Sequence, residues 1–344
     1  MYDTSREAEN FWNTYRLSMK IEDIVNLTEG TLTNIPKVQS IEAATVYYSK
    51  VEHGDLFFSS NQEEIDQAIA NGAYAIVYAD DNIVKKDDEI AWIKVSDLQL
   101  AAMKLIRYVI IRKEAEFYLL SEHEMTFLKM ILVHKTNITF ISNDWRKAFE
   151  QILNTESSLF VGTDKELLEL IKPDIPKLNK EVDGYAVFDT LFRTTFKVGG
   201  FVYQEKELIP FHLEYLLRVI DFCDSHELTY SVERLKYTKH FTPVFIDGKL
   251  KSTQASKSDK VAIFTDNLSD ITKAREYVMR SNMWVKSVVM TPPKTKVPGI
   301  DHPYWFATKE ELQELLKNIH YNYAFIYNAD KSMLHTIQEE YSLF

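Results

Sequence analysis

Residues 49–77, "SKVEHGDLFFSSNQEEIDQAIANGAYAIV", carry a strand, a helix and a second strand in one stretch. "HGDLFFSS" reads as a strand entered through a turn at Gly54. "NQEEIDQAIANGAYAIVYADD" reads as a helix stopped at Gly72, followed by a strand over Ala75 to Tyr78. Working outward, "KIEDIVNLTEGTL" gives helix, turn and strand on one side. "EIAWIKVSD" and the amphipathic "LQLAAMKLIRYVIIRK" give strand and helix on the other. The result is a compact α/β unit of about 90 residues, the size of one small domain.

The alternation continues. "AEFYLLSEHEMTFLKMILVHK", residues 115–135, reads as a short strand, the polar turn Ser121-Glu122-His123-Glu124, and an amphipathic helix. In an α/β protein a phosphate would sit on the N-terminus of such a helix. "TNITFISND", "WRKAFEQILNT" and "SSLFVGTDKELLELI" follow at the spacing of a parallel sheet with crossover helices, and Pro173 and Pro176 end that run. "GYAVFDTLFRTTFKVGGFVYQEKELI" reads as two β-rich segments around Gly199-Gly200. "PFHLEYLLRVIDFCDSHEL" is a long helix that accepts Pro210 at its start. From "FTPVFIDGKL" onward, "KVAIFTDN" and "YAFIYNADKSM" frame strands and helices in Rossmann-like order.

With 344 residues, 45% apolar and 26% charged, the chain has room for two or three well-buried domains. A net charge of −11 argues against general binding to nucleic acid or to an anionic membrane surface. No apolar run reaches the length of a membrane span and no signal-peptide pattern opens the chain, so a cytoplasmic protein is expected. The single cysteine, Cys223, excludes an intrachain disulfide and any multi-cysteine metal site, and its amphipathic helix gives it a packing role. Nine glycines are few for an enzyme that hugs phosphate with its backbone. His123, between Glu122 and Glu124, lacks the i, i+3 or i+4 partner a helical metal site needs, so it reads as part of a solvated helix start. His212 with Glu214, and His320 with His335, are scattered in the same way.

The order of these elements resembles the Mur ligases, the ATP-dependent ligases of bacterial peptidoglycan synthesis. The type that adds D-alanyl-D-alanine to a UDP-muramoyl tripeptide is the most similar. The resemblance covers residues 19 to 344 and rests on three places. "SKVEHGDLFFSSNQEEIDQAIANGAYAIV" follows the family's N-domain word. "PFHLEYLLRVIDFCDSHELTYSVERLKY" looks like the helix that ends its central domain. "VAIFTDNLSDI" and "YAFIYNADKSM" stand where it has strands ending Gly-Asp-Met and Lys-Gly-Ser-Arg. The resemblance implies an α/β protein of three-domain architecture. An N-terminal extension at 1–18 precedes a small N-terminal α/β domain at 19–110. A shortened central parallel-sheet domain at 111–242 and a Rossmann-like C-terminal domain at 243–344 follow.

The departures bear on function. The family's Gly-x-x-Gly-Lys-Thr loop should fall at Leu120 to Thr126, where only the hydroxyl of Thr126 survives among Ser121, Glu122, His123 and Glu124. Glu122 and Glu124 would repel a triphosphate, each contact costing on the order of a few kcal/mol at an effective dielectric near 20. Where the family has Asp-Ser-Arg for its UDP-sugar, this chain has Tyr47, Tyr48 and Ser49, and the two tyrosine rings could stack on uracil. The Asp-Tyr-Asn/His-Ala-Asn-Pro loop is missing. Of the Lys-Gly-Ser-Arg strand end only Lys331 and Ser332 remain. The central domain is too short for the loops that bear the family's magnesium-ligating glutamate and histidine. The expectation is a pseudoenzyme with a binding, scaffold or regulatory role in cell-wall synthesis, with no catalytic residues, cofactor or metal. Its expected partners are proteins, cell-wall enzymes among them, and a UDP-sugar is a possible ligand. The alternatives are a divergent ATP- and Mg-dependent ligase, or a UDP-sugar-binding module.

Overall fold

The computed structural model describes residues 17–179, 181–281 and 284–334. The N-terminal extension therefore lies outside the described residues except for Leu17 and Ser18, and His335 lies outside them as well. The chain divides into two compact units, Met1–Ser121 with His134–Leu178, and Glu122–Val133 with Asn179–Phe344.

The first unit opens with helix α1 (Ile21–Thr28) and a five-stranded sheet ordered Thr31–Leu32, Ala91–Lys94, Ala75–Tyr78, Leu56–Phe58, Ala44–Thr45. All pairs are parallel except Thr31–Leu32 against Ala91–Lys94. The inner strands Leu56–Phe58 and Ala75–Tyr78 read as unbroken apolar runs because both faces are covered. Phe57, Ile76 and Trp92 pack beneath α2 (Gln62–Ala70) through Ile65 and Ala68. Phe58, Val77 and Ile93 point the other way, toward α3 (Leu98–Arg112). The expected stop at Gly72 is real. Its φ is +103°, and an added Cβ would come within 3.1 Å of the His53 Cα. That left-handed conformation suits glycine alone.

The chain leaves this unit for α4 (Glu122–Ile131) and returns for α5 (Trp145–Leu153) and α6 (Lys165–Ile171). Helices α5 and α6 flank a parallel sheet ordered Glu116–Leu119, Leu159–Gly162, Thr139–Phe140. Phe149 and Ile152 of α5 and Leu168 and Ile171 of α6 join the core that α3 already shares with the first sheet. Glu150 is buried there. It accepts from Thr45 Oγ1 at 2.6 Å, the Val46 amide at 3.0 Å and Lys50 Nζ at 2.9 Å, so a buried charge is fully engaged.

The second unit contains α4, a three-stranded antiparallel sheet, α7 (Leu213–Ser225) and a five-stranded sheet with α8 (Leu268–Ser281) and α9 (Lys309–Asn318). The expected pair of β-rich segments around Gly199-Gly200 is three strands: Tyr185–Asp189, Thr194–Val198 and Phe201–Lys206. "GYAVFD" and "TTFKV" are separated by a turn whose Arg193 amide donates to Thr190 Oγ1, a break with no glycine to signal it. The larger sheet runs Thr242–Ile246, Lys260–Thr265, Tyr323–Tyr327, Ser287–Thr291, Tyr304–Trp305, parallel except for its antiparallel first strand. Ile271, Ala274 and Val278 of α8 cover one face; Leu312 and Leu316 of α9 cover the other. No described helix is long and apolar enough to cross a membrane.

Candidate functional site

The second unit brings three helix N-termini together, and each delivers a polar side chain to one buried cluster. His123 is the second residue of α4, His212 immediately precedes α7, and Asp270 lies in the first turn of α8. All three are buried, His212 and Asp270 to 1% exposure. His123 Nε2 donates to Asp270 Oδ2 at 3.0 Å and His212 Nε2 donates to the same oxygen at 2.9 Å. The partial positive charge of three helix starts favours a carboxylate at this point.

Further contacts hold the cluster. His123 is sandwiched between Tyr215, with ring centres 4.7 Å apart, and His240, 4.5 Å apart, while His212 meets it edge-on at 4.6 Å. A carboxylate only accepts, so His240 Nδ1 donates to Asp266 Oδ1 at 2.7 Å. Its Nε2 lies in hydrogen-bond contact with the Thr126 hydroxyl at 3.0 Å. Asp266 follows the strand Lys260–Thr265, at the carboxyl end where open α/β sheets place ligands.

The electrostatics follow from burial and pairing. Burial works to raise the Asp270 pKa, but the hydrogen bonds from His123 and His212 outweigh it and keep the carboxyl well below the usual range. Burial lowers the His212 pKa, against the pull of Asp270, so this imidazole stays neutral at pH 7.

Of the residues expected at the degenerate loop, the structure buries His123 and Glu124 and leaves Ser121 and Glu122 exposed. The solvated helix start expected for His123 is therefore wrong. Its partners come from other helices rather than from its neighbours Glu122 and Glu124. His212, expected to be scattered, shares its carboxylate. Glu124 is paired with Arg218 of α7 at 3.3 Å, so it does not present the repulsive charge expected of it. Glu122 lies 4.0 Å from Lys239. Asp270 and His240 carried no sequence signal, because nothing in their spacing ties them to residue 123.

Tyr47, Tyr48 and Ser49 belong to the first unit. Tyr47 is half-buried with Lys50 Nζ 5.3 Å from its ring centre; Tyr48 and Ser49 begin the short helix Tyr48–Lys50. Lys331 and Ser332 are exposed in the turn Lys331–Leu334, where the Ser332 amide donates to Asp330 Oδ1 at 2.8 Å. Lys331 edges a groove with Lys236, Tyr237 and Phe245.

No family model matches the sequence, and no curated protein matches it. Solved structures do. A MurF structure from Acinetobacter baumannii is 13% identical, covers 91% of this chain and 86% of its own, and gives a TM-score of 0.51. The UDP-N-acetylmuramoylalanyl-D-glutamyl-2,6-diaminopimelate–D-alanyl-D-alanyl ligase of the same organism is 13% identical over 93% of this chain and 97% of its own, with a TM-score of 0.51. MurF ligase from Thermotoga maritima, solved in complex with ADP, is 11% identical over 85% and 94%, with a TM-score of 0.50. At such identity the likeness is one of architecture: this chain has the multi-domain α/β fold of the Mur ligases.

Proposed function

We propose that this protein is a Mur ligase-like pseudoenzyme, a binding, scaffold or regulatory component of bacterial peptidoglycan synthesis that does not use ATP. One observation carries the reading. The N-terminus of α4, the helix that follows the strand Glu116–Leu119, is occupied by the chain's own side chains. His123 is hydrogen-bonded to Asp270 and Glu124 is paired with Arg218. Three helix starts that together suit an anion already face the carboxylate of Asp270. The stretch supplies neither the glycines nor the lysine that a phosphate cradle needs. ATP and Mg are accordingly not expected as cofactors, and the expected partners are proteins, cell-wall enzymes among them.

Isothermal titration of the full chain with Mg-ATP, alone and with a UDP-muramoyl tripeptide, tests the reading. No saturable heat up to millimolar ATP is expected. A micromolar affinity for ATP, or phosphate release on adding D-alanyl-D-alanine, would overturn it.

A further inference from the structure

We infer that His123, His212 and Asp270 form a binding site for one divalent transition cation of the zinc class. The atoms that would ligate it are His123 Nε2, His212 Nε2 and Asp270 Oδ2, and all lie within 4.8 Å of one another. Both imidazoles converge on a single carboxylate oxygen, at 3.0 and 2.9 Å. Tetrahedral zinc, with bonds of about 2.0–2.2 Å, sets its ligands roughly 3.3 Å apart. Seating the ion therefore asks the oxygen to withdraw by a few tenths of an ångström and the two Nε2 atoms, now within 4.8 Å of each other, to close toward that same spacing, while the imidazole protons move to Nδ1 or leave.

The ring of contacts around the cluster is what such a site requires. His123 cannot swing, because Tyr215 and His240 stack on its two faces. His240 is itself fixed at both nitrogens, by Asp266 and Thr126. Outer groups that lock the orientation of a ligating imidazole raise metal affinity. Two nitrogen donors and one oxygen select zinc, cobalt or iron over magnesium, which prefers an octahedral, oxygen-rich and hydrated shell. The three positive helix ends oppose a cation, so binding is weaker than in a thiolate-bearing structural zinc site. The inference does not depend on whether ATP is bound or hydrolysed.

The test is titration of the chelator-treated full chain with Zn(II) and, in parallel, Mg(II), by calorimetry, together with the visible spectrum of the Co(II) adduct. One equivalent of Zn(II) is expected, bound far more tightly than Mg(II). His212→Ala and Asp270→Asn weaken it by more than the roughly 10–100-fold typical of outer-group changes. His240→Gln stays within that roughly 10–100-fold range, and His302→Ala, at an exposed histidine, changes nothing. Absence of stoichiometric binding, unchanged affinity in His212→Ala, or a preference for Mg(II) overturns the inference. If the ligand variants fail to fold by far-UV circular dichroism, the wild-type Co(II) spectrum decides. Intense tetrahedral absorption supports the site, and a faint octahedral spectrum overturns it.

Discussion

Removing the Asp270 carboxylate should destabilise the second unit more than any other single polar change. Two buried imidazoles donate to one oxygen, Oδ2, at 3.0 and 2.9 Å. Asp270→Ala leaves both donors facing a protein interior. Each orphaned buried donor costs about 1–3 kcal/mol, so the loss is about 2–6 kcal/mol. Relief of the carboxylate's own desolvation works against this. It is the smaller effect here, because the hydrogen bonds already hold Asp270 ionised despite its burial. Asp270→Asn keeps an acceptor but trades charge-assisted bonds for neutral ones, worth about 1 kcal/mol less each, or about 2 kcal/mol in all. Urea unfolding followed by far-UV circular dichroism at pH 7, with chelator present, ranks the three proteins. With a slope near 3 kcal/mol per molar, the alanine variant's midpoint falls by about 0.7–2 M and the asparagine variant's by about 0.7 M. An alanine midpoint within about 0.2 M of wild type would show that the imidazoles do not depend on this carboxylate.

The same cluster sets an acid limit. The folded pKa of His212 lies below its ordinary 6.5 and that of Asp270 below its ordinary 3.8, so both add stability that is complete above about pH 6.5. Stability is lost as pH falls, first through His212 and then through Asp270, so melting temperature should begin to drop below about pH 6.5; a flat profile down to pH 4 would contradict the burial of a neutral His212. Cys223 is fully buried and its thiol is pushed up to about 12, so a thiol reagent should label it only in urea; rapid native labelling would refute that packing. Gly72→Ala, at φ +103° with the His53 backbone 3.1 Å from the new Cβ, should destabilise the first unit by more than about 1 kcal/mol, read by chemical denaturation.

Arg218 shows how the site's electrostatics escaped a linear reading. Its guanidinium bonds both Glu214, one turn earlier on α7, and Glu124 of α4. The Glu214 contact is legible as an i, i+4 pair, whereas the Glu124 contact spans 94 residues. Glu124 therefore looks like a free repulsive charge in the sequence and is a neutralised, buried one in the fold.

The sequence by itself determined what local physics governs. Apolar runs such as Ala75–Tyr78 became buried parallel strands, Gly72 stopped its helix, and the alternation of strand and helix set the α/β architecture. It also determined that the turn before α4 has neither glycine nor lysine. Only the tertiary structure decided what fills that turn. His123 and Asp270 lie 147 residues apart, and no periodicity relates them. They meet because α4, α7 and α8 pack with their starts at one point, where burial strips away water and leaves each polar group to be satisfied by the others.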